Sequence, residues 1–353
     1  MVFTDIRLQN YRSYKDSSFE FDGGVTIIVG PNAAGKSNLI EAILLVTSGH
    51  AYRGKTGLIK QKAGWARIDV HTEENKARTA KITLEVSNDR LGIEYAINDK
   101  IYKRLGNQQK HPAVLFEPNN LLLVHGEPQA RREYLDRLSS DISEGFASTL
   151  LRYKRALVQR NALLKSPHLD KSQLFVWNIR LCELAENIVK KRLATIDLIN
   201  EKLSRTYSDI SGKKTKLNMG YKSPFNTRNY SASLLNKLEA DLDLDRARGF
   251  TGSGPHREDF VITLDGQLIS ETASRGETRT LLLALKIIEL EILEEKFGTR
   301  PLLLLDDVFS ELDGARRKAL TRFLNKYQTI ITTTDADVVL KNFSQNCQII
   351  ALA

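Results

Sequence analysis

Gly30-Pro31-Asn32-Ala33-Ala34-Gly35-Lys36-Ser37 has the residue types and spacing of a phosphate-binding loop, GxxxxGK[ST]. Glycines let the backbone wrap a phosphate with several N–H groups pointing inward. The N-terminus of a following helix adds about half a positive charge. Lys36 can reach the β- and γ-phosphates, the Ser37 hydroxyl can ligand Mg²⁺, and Asn38 closes the binding stretch. Far along the chain, Leu302-Leu303-Leu304-Leu305-Asp306-Asp307 places two carboxylates at the end of an apolar run. Asp306 is placed there to hold Mg²⁺, directly or through water, and Asp307 to orient and deprotonate an attacking water. The expected chemistry is hydrolysis of a nucleoside triphosphate, with Lys36 and Asp307 catalytic and Ser37 and Asp306 on the metal.

Two further stretches bear on that chemistry. Ser274-Arg275-Gly276-Glu277 opens an apolar helix over 281–293, and a Ser-x-Gly turn at a helix start is a second anion cradle. Two such cradles in one chain suggest two sites, or one site shared between two subunits. Ser310-Glu311-Leu312-Asp313 follows the carboxylates at once. Thr329 to Asp335, with Thr334 near its end, reads as another strand, ending beside where a γ-phosphate would lie.

The elements that must position these residues follow from the apolar pattern. Gly24 to Val29 reads as a buried strand and Ser37 to Leu45 as a helix with Leu39, Ile40, Ile43 and Leu44 inward. Residues 65–104 alternate as an antiparallel sheet, with a tight turn at Asn98-Asp99. Residues 112–116 form a short buried strand, and helices follow from about Pro128. Arg12, on the first hairpin, has two readings: a phosphate contact or a solvated arginine.

Residues 150–164 and 173–208 carry apolar positions at spacings of three and four. In the second these are Leu174, Trp177, Leu181, Leu184 and Ile188, then Ile196, Ile199, Leu203 and Tyr207. The pattern predicts antiparallel helices forming a short coiled-coil-like arm. From Arg152 to Arg228 there are 17 Lys and Arg against 6 Asp and Glu, an excess larger than the whole-chain balance of +9. Lys154, Arg155, Arg160, Lys190, Lys191, Arg192, Lys213, Lys214 and Lys216 stand out; any one of them reads as a solvated helix surface, and as a cluster they point to phosphate contacts. Asp241 to Asp245 lacks the glycine and the glutamate of a calcium loop. His256 has no nucleophile beside it in sequence and reads as a loop-structuring residue.

The bulk properties agree with a globular chain: 353 residues, 41% hydrophobic, 27% charged, pI near 9.3. No apolar run approaches a membrane span, and the first residues lack a signal-peptide core, so a cytoplasmic protein is expected. Cys182 and Cys347 lie far apart without a CxxC pattern, which argues for reduced thiols and against zinc.

The order of phosphate loop, helical insertion, Ser-x-Gly helix start, Asp-Asp strand and Ser-Glu-Leu-Asp resembles the ABC-type ATPases of the structural-maintenance-of-chromosomes class. Within it, the chain resembles the RecF family of bacterial recombination mediators. The matching stretches are Gly30 to Ala42, Ala51 to Gly54, Gly126-Glu127-Pro128 with Arg131-Arg132 and Leu135-Asp136, Gln159-Arg160-Asn161 with Leu164, Gly254 to Asp259, Leu302 to Asp313 and Thr332 to Asp335. The resemblance implies an α/β ABC-type head, a mixed sheet with helices plus an antiparallel β subdomain, carrying an inserted α-helical arm or lobe. Residues 1–120 and 296–353 would form the ATPase lobe, and 121–295 the helical lobe with the signature.

The resemblance further implies an ATP-dependent homodimer with two ATP molecules sandwiched head to tail. Lys36 and Ser37 of one subunit would face Ser274, Arg275, Gly276 and Glu277 of the other. Ser310 and Asp313 would form the D-loop and Thr334 the switch position. The dimer would grip duplex DNA at single-strand gaps and, with RecR and RecO, help RecA load. Hydrolysis would be slow and DNA-stimulated. Three features depart from the wider class: Asp307 where many members have Glu, Thr334 where transporters have His, and Glu277 in place of the usual Gln, which brings a negative charge toward incoming phosphates. A cytosolic ATPase subunit serving a membrane transporter, a metabolite kinase and a non-hydrolysing ATP binder are the alternative readings.

Overall fold

The computed structural model describes residues 2–51, 54, 56–74, 76–85, 90–309, 312–324, 326–335 and 347–352. The chain divides into two units, one of residues 1–120 and 286–353, the other of 121–285.

The first unit begins with β1 (Phe3–Gln9), β2 (Asp16–Glu20), β3 (Val25–Val29), α1 (Lys36–Ser48), β4 (Trp65–Thr72), β5 (Arg78–Glu85), β6 (Arg90–Ile97), β7 (Lys100–Tyr102) and β8 (Ala113–Phe116). Burial alternates along β4, as expected for a strand with one face on the core. Asn98 and Asp99 adopt φ of +46° and +65°, the left-handed pair that a two-residue hairpin requires.

The second unit contains α2 (Leu122–His125), α3 (Pro128–Ile142), α4 (Phe146–Leu164), α5 (Lys171–Ser211), β9 (Leu217–Lys222), α6 (Tyr230–Ala240), α7 (Leu242–Arg248), β10 (Asp259–Leu264), β11 (Gln267–Leu268) and α8 (Ile269–Thr272). Helix α5 is capped at its start by Asp170, whose carboxylate accepts from the Ser172 and Gln173 N–H groups, and it ends at Gly212 in the left-handed region. Its apolar stripe does not make a two-helix arm. Leu181, Leu184 and Ile188 are buried with Tyr153 and Ala156 of α4 and with Tyr230, Leu234 and Leu238 of α6, while Ile199 and Leu203 are also buried. An apolar face this broad is covered from several sides, so the expected arm is a packed helical body.

Helix α9 (Arg275–Phe297) carries the chain back, followed by β12 (Leu302–Asp306), α10 (Gly314–Leu324), β13 (Thr329–Thr333) and β14 (Cys347–Ala351). The unit boundary falls between Leu285 and Lys286, inside α9, where the sequence placed it after 295. Lys286 and Glu289, the charged residues next to it, are buried and paired with each other at 2.9 Å, so burial marks no break there.

Among the described residues of the first unit, one sheet has the order β2-β1-β4-β5-β6-β7 and is antiparallel. The other has the order β14-β3-β13-β12-β8 and is parallel. Helix α1 packs against strands of both sheets, which is why Leu39, Ile40, Ile43, Leu44, Leu45 and Val46 are all buried. Between the two sheets lie Ile6, Leu8, Ile68 and Ile82 from one side and Ile28, Leu304 and Ile330 from the other. The helix that starts at Lys36 is thus held in the centre of the unit's core. Among the described residues, no helix is long and apolar enough to cross a membrane.

Candidate functional site

The site lies at the C-terminal ends of three adjacent parallel strands. Register pairs Val29 of β3 with Thr333 of β13, and Thr332 of β13 with Asp306 of β12. Residues 269 positions apart in sequence therefore meet: Ser37 Oγ donates to Asp306 Oδ1 at 2.9 Å. Gly30 must be glycine, because a Cβ there would sit 2.7 Å from the Leu352 carbonyl oxygen. Gly35 has φ +99° and would bring a Cβ within 2.9 Å of the Tyr14 hydroxyl. Lys36 is 7% exposed, and its Nζ donates to the carbonyls of Gly30 at 2.7 Å and Pro31 at 2.9 Å.

A cavity of about 200 Å³ opens here, lined by Asn32, Ala33, Gly35 to Asn38, Asp306 and Asp307. Its chemistry suits a phosphate with a hard cation: one ammonium, a hydroxyl and two carboxylates, with the start of α1 pointing in. Among the described residues no cluster of three or more Asp, Glu, His or Cys could hold a metal alone. A Mg²⁺ bound through Ser37 and Asp306 would complete its shell with phosphate oxygens and water, as Mg²⁺ commonly does.

Asp307 has φ +54°, an uncommon conformation for a non-glycine residue. Its N–H is directed at the Thr332 carbonyl and the Thr332 hydroxyl, both at 3.1 Å. Burial raises its carboxyl above the ordinary range, opposed by nearby Lys36 and reinforced by Asp306.

The turn between β1 and β2 is the part of the site that sequence reasoning missed. Tyr14 Oη donates to the Gly35 carbonyl at 3.1 Å, and Asn38 Nδ2 donates to Ser13 Oγ at 3.0 Å. Lys60 Nζ donates to the Ser13 carbonyl at 2.6 Å. Arg12 is not a solvated arginine: its guanidinium donates twice to Glu41 of α1, at 2.8 Å each, and to the Thr56 carbonyl. Glu41 is fully buried, so only a paired cation makes its charge tolerable there.

In the second unit, Ser274 to Glu277 stand at the start of α9. The Ser274 N–H and hydroxyl donate to Glu277 Oε2 at 2.9 and 2.7 Å, and the Glu277 N–H points to Ser274 Oγ at 3.2 Å. This is a reciprocal capping box. The Glu277 carboxylate thus sits on Ser274 at the start of α9, and these hydrogen bonds, with Lys213 nearby, hold it below its ordinary value. Ser310 lies outside the described residues. Asp313 caps α10 by accepting from the Arg316 N–H at 2.9 Å and pairing with its guanidinium. Thr334 is exposed at the end of β13.

The basic cluster divides. Lys154, Arg155, Lys190, Lys213, Lys214 and Lys216 are exposed, and Lys191 is half-buried. Arg192 does not belong with them: it is 3% exposed, donates to both Asp136 oxygens at 2.8 and 3.0 Å, and bonds the Pro255 carbonyl. Arg160 is fully buried, bonded to Asp245, Asn178 and Thr251. Charge counting could not separate these internal pairs from surface cations. His256 is structural, as expected: Nδ1 meets Tyr153 Oη at 2.7 Å and Nε2 the Thr251 carbonyl at 3.1 Å.

Comparison with known proteins adds an independent line. Residues 2–352 match the RecF/RecN/SMC N terminal domain. A protein of Agathobacter rectalis named DNA replication and repair protein RecF is 31% identical over 364 residues, covering 97% of this chain and 94% of that protein. A solved structure of the recombination mediator protein RecF-ATPrS in the RecFOR pathway is 32% identical with a TM-score of 0.86, covering 99% of this chain and 95% of that one. The Smc head bound to the C-winged helix domain of ScpA shares the fold, at 16% identity and a TM-score of 0.52 over 99% of this chain and 94% of that one.

Proposed function

The chain belongs to the RecF/RecN/SMC N terminal domain family, and from that premise we propose that it is an ATP-dependent DNA-binding protein of recombinational repair. The observation that carries the reading is the 2.9 Å contact of Ser37 with Asp306, which joins a phosphate loop to a carboxylate-ended strand in one cavity. In this reading Gly30 to Asn38 wrap the ATP phosphates, Lys36 exchanges its loop carbonyls for phosphate oxygens, and Asp307 holds the attacking water. Ser37 and Asp306 would hold Mg²⁺, which would supply positive charge against the phosphates.

Ser274 to Glu277, with Ser310, Asp313 and Thr334, would complete the site across a homodimer. The exposed cations Lys154, Arg155, Lys190, Lys213 and Lys214 supply a surface for DNA phosphates. Hydrolysis is proposed to be slow and stimulated by DNA. The ATP-bound dimer would clamp duplex DNA at gaps, working in the cytoplasm with RecR, RecO and RecA. Sedimentation velocity with ATP and Mg²⁺, with ADP and with neither tests the gate. A dimer formed only with ATP is expected; the same mass in all three overturns it.

A further inference from the structure

Thr332 is fully buried on β13, between the loop strand β3 and the carboxylate strand β12. Its hydroxyl reaches both acidic residues. Oγ1 lies 2.7 Å from Asp306 Oδ1 and 3.1 Å from the Asp307 nitrogen. A hydroxyl has one proton and two lone pairs. The Asp307 N–H must donate, so Thr332 accepts there and spends its proton elsewhere. The alternative acceptor, the Leu305 carbonyl, is 3.4 Å away, and the shorter bond to a carboxylate is the stronger one.

We infer that Thr332 is a positioning residue for hydrolysis: one hydroxyl orients the Asp306 carboxylate and pins the Asp307 backbone in its left-handed conformation. The inference rests on the reading of the cavity as an ATP and Mg²⁺ site. Thr332 does not line that cavity, so it acts only through the two carboxylates. Ser37, at the start of α1, and Thr332, on β13, both approach Asp306 Oδ1. Thr332 therefore fixes the carboxylate without any group belonging to the phosphate loop. A left-handed non-glycine residue persists only where its surroundings over-determine it. The Asp307 N–H, shared between the Thr332 carbonyl and hydroxyl, is such a restraint.

The test compares Thr332→Val, which keeps the shape and loses the hydroxyl, with Thr332→Ser, which keeps the hydroxyl. Fluorescent mant-ATP binding is titrated with Mg²⁺ and in EDTA, beside steady-state hydrolysis and the unfolding midpoint. Thr332→Val should raise the half-saturating Mg²⁺ and lower kcat by about tenfold, the equivalent of one charge-assisted hydrogen bond. Affinity in EDTA should stay within about twofold, and Thr332→Ser should recover both quantities. Wild-type Mg²⁺ dependence and kcat in Thr332→Val, or equal impairment in Val and Ser, overturns the inference. Should Thr332→Val fail to fold, Thr332→Ala against Thr332→Ser carries the same comparison. Asp306→Asn is run alongside: wild-type Mg²⁺ dependence in that variant would sink the reading of the site itself, whatever Thr332 does.

Discussion

Arg12 grips Glu41 with two hydrogen bonds of 2.8 Å, tying the first hairpin to the helix that begins at Lys36. Glu41 has no exposure to water and Arg12 little, and the same guanidinium also bonds the Thr56 carbonyl. The pair fixes how α1 sits beneath the hairpin whose Tyr14 touches Gly35. Removing one partner strands the other charge in the core. Arg12→Ala should therefore cost about 3–5 kcal/mol of stability, the usual penalty for breaking a buried pair. Urea unfolding without nucleotide measures it. A stable variant with weakened nucleotide binding would instead make Arg12 a ligand contact.

Lys36 is buried beside the loop carbonyls and supplies the cation of the cavity. Lys36→Ala should abolish ATP-dependent self-association while leaving the fold intact, since two neutral acceptors lose a donor at a partly open cavity. Sedimentation with ATP reads the first effect and circular dichroism the second. Normal dimers would contradict the site.

Arg192 and Lys190 sit two residues apart on α5 and should behave oppositely. Lys190→Glu, with Lys154→Glu and Arg155→Glu, should weaken duplex affinity and reduce its salt slope by roughly one for each DNA phosphate no longer neutralised. Arg192→Ala should instead destabilise the protein, because it leaves Asp136 without its bidentate partner. Anisotropy at several salt concentrations beside thermal melts separates the two. Unchanged affinity in the triple variant would move the DNA surface elsewhere.

Glu277 holds the hydroxyl and N–H of Ser274. Glu277→Ala frees both and should tighten ATP-dependent self-association by about fivefold, the equivalent of one cap hydrogen bond. Weaker association would show that the cap is needed to shape the helix start.

Stability should fall between pH 6.5 and 4. Burial depresses His256 to about 4 and His111 to about 3 from an ordinary 6.5. Over that window the unfolded chain binds protons that the folded chain refuses, so acidification favours unfolding. The stabilisation is intact above 6.5 and lost progressively below it. Urea midpoints across this range, in the wild type and in His256→Gln, check the sign: the variant should show a flatter decline.

Local pattern made the centre of the site legible. The strand, loop and helix around Lys36 and the run Leu302 to Asp307 are contiguous, and the parallel sheet needed only to bring their ends together. The tertiary pairings were not legible. Arg12 with Glu41, Arg160 with Asp245 and Arg192 with Asp136 join residues 29 to 85 positions apart, and nothing in composition or periodicity distinguishes them from solvated charges. The Ser274 and Glu277 cap was present as a Ser-x-x-Glu spacing, but the hydrogen bonds that join the two were not drawn from it. The apolar stripe of α5 located the helix well and its packing poorly, because periodicity gives a buried face without saying how many neighbours cover it.

The central claim is that ATP gates DNA binding. The most direct measurement is the fluorescence anisotropy of a labelled duplex titrated with protein and Mg²⁺, with ATP, with ADP and without nucleotide, beside the single strand. The account predicts that ATP alone tightens duplex binding, by at least about tenfold as expected for a second linked site, and that Lys36→Ala abolishes the gain. Equal affinity in all three nucleotide conditions would contradict it.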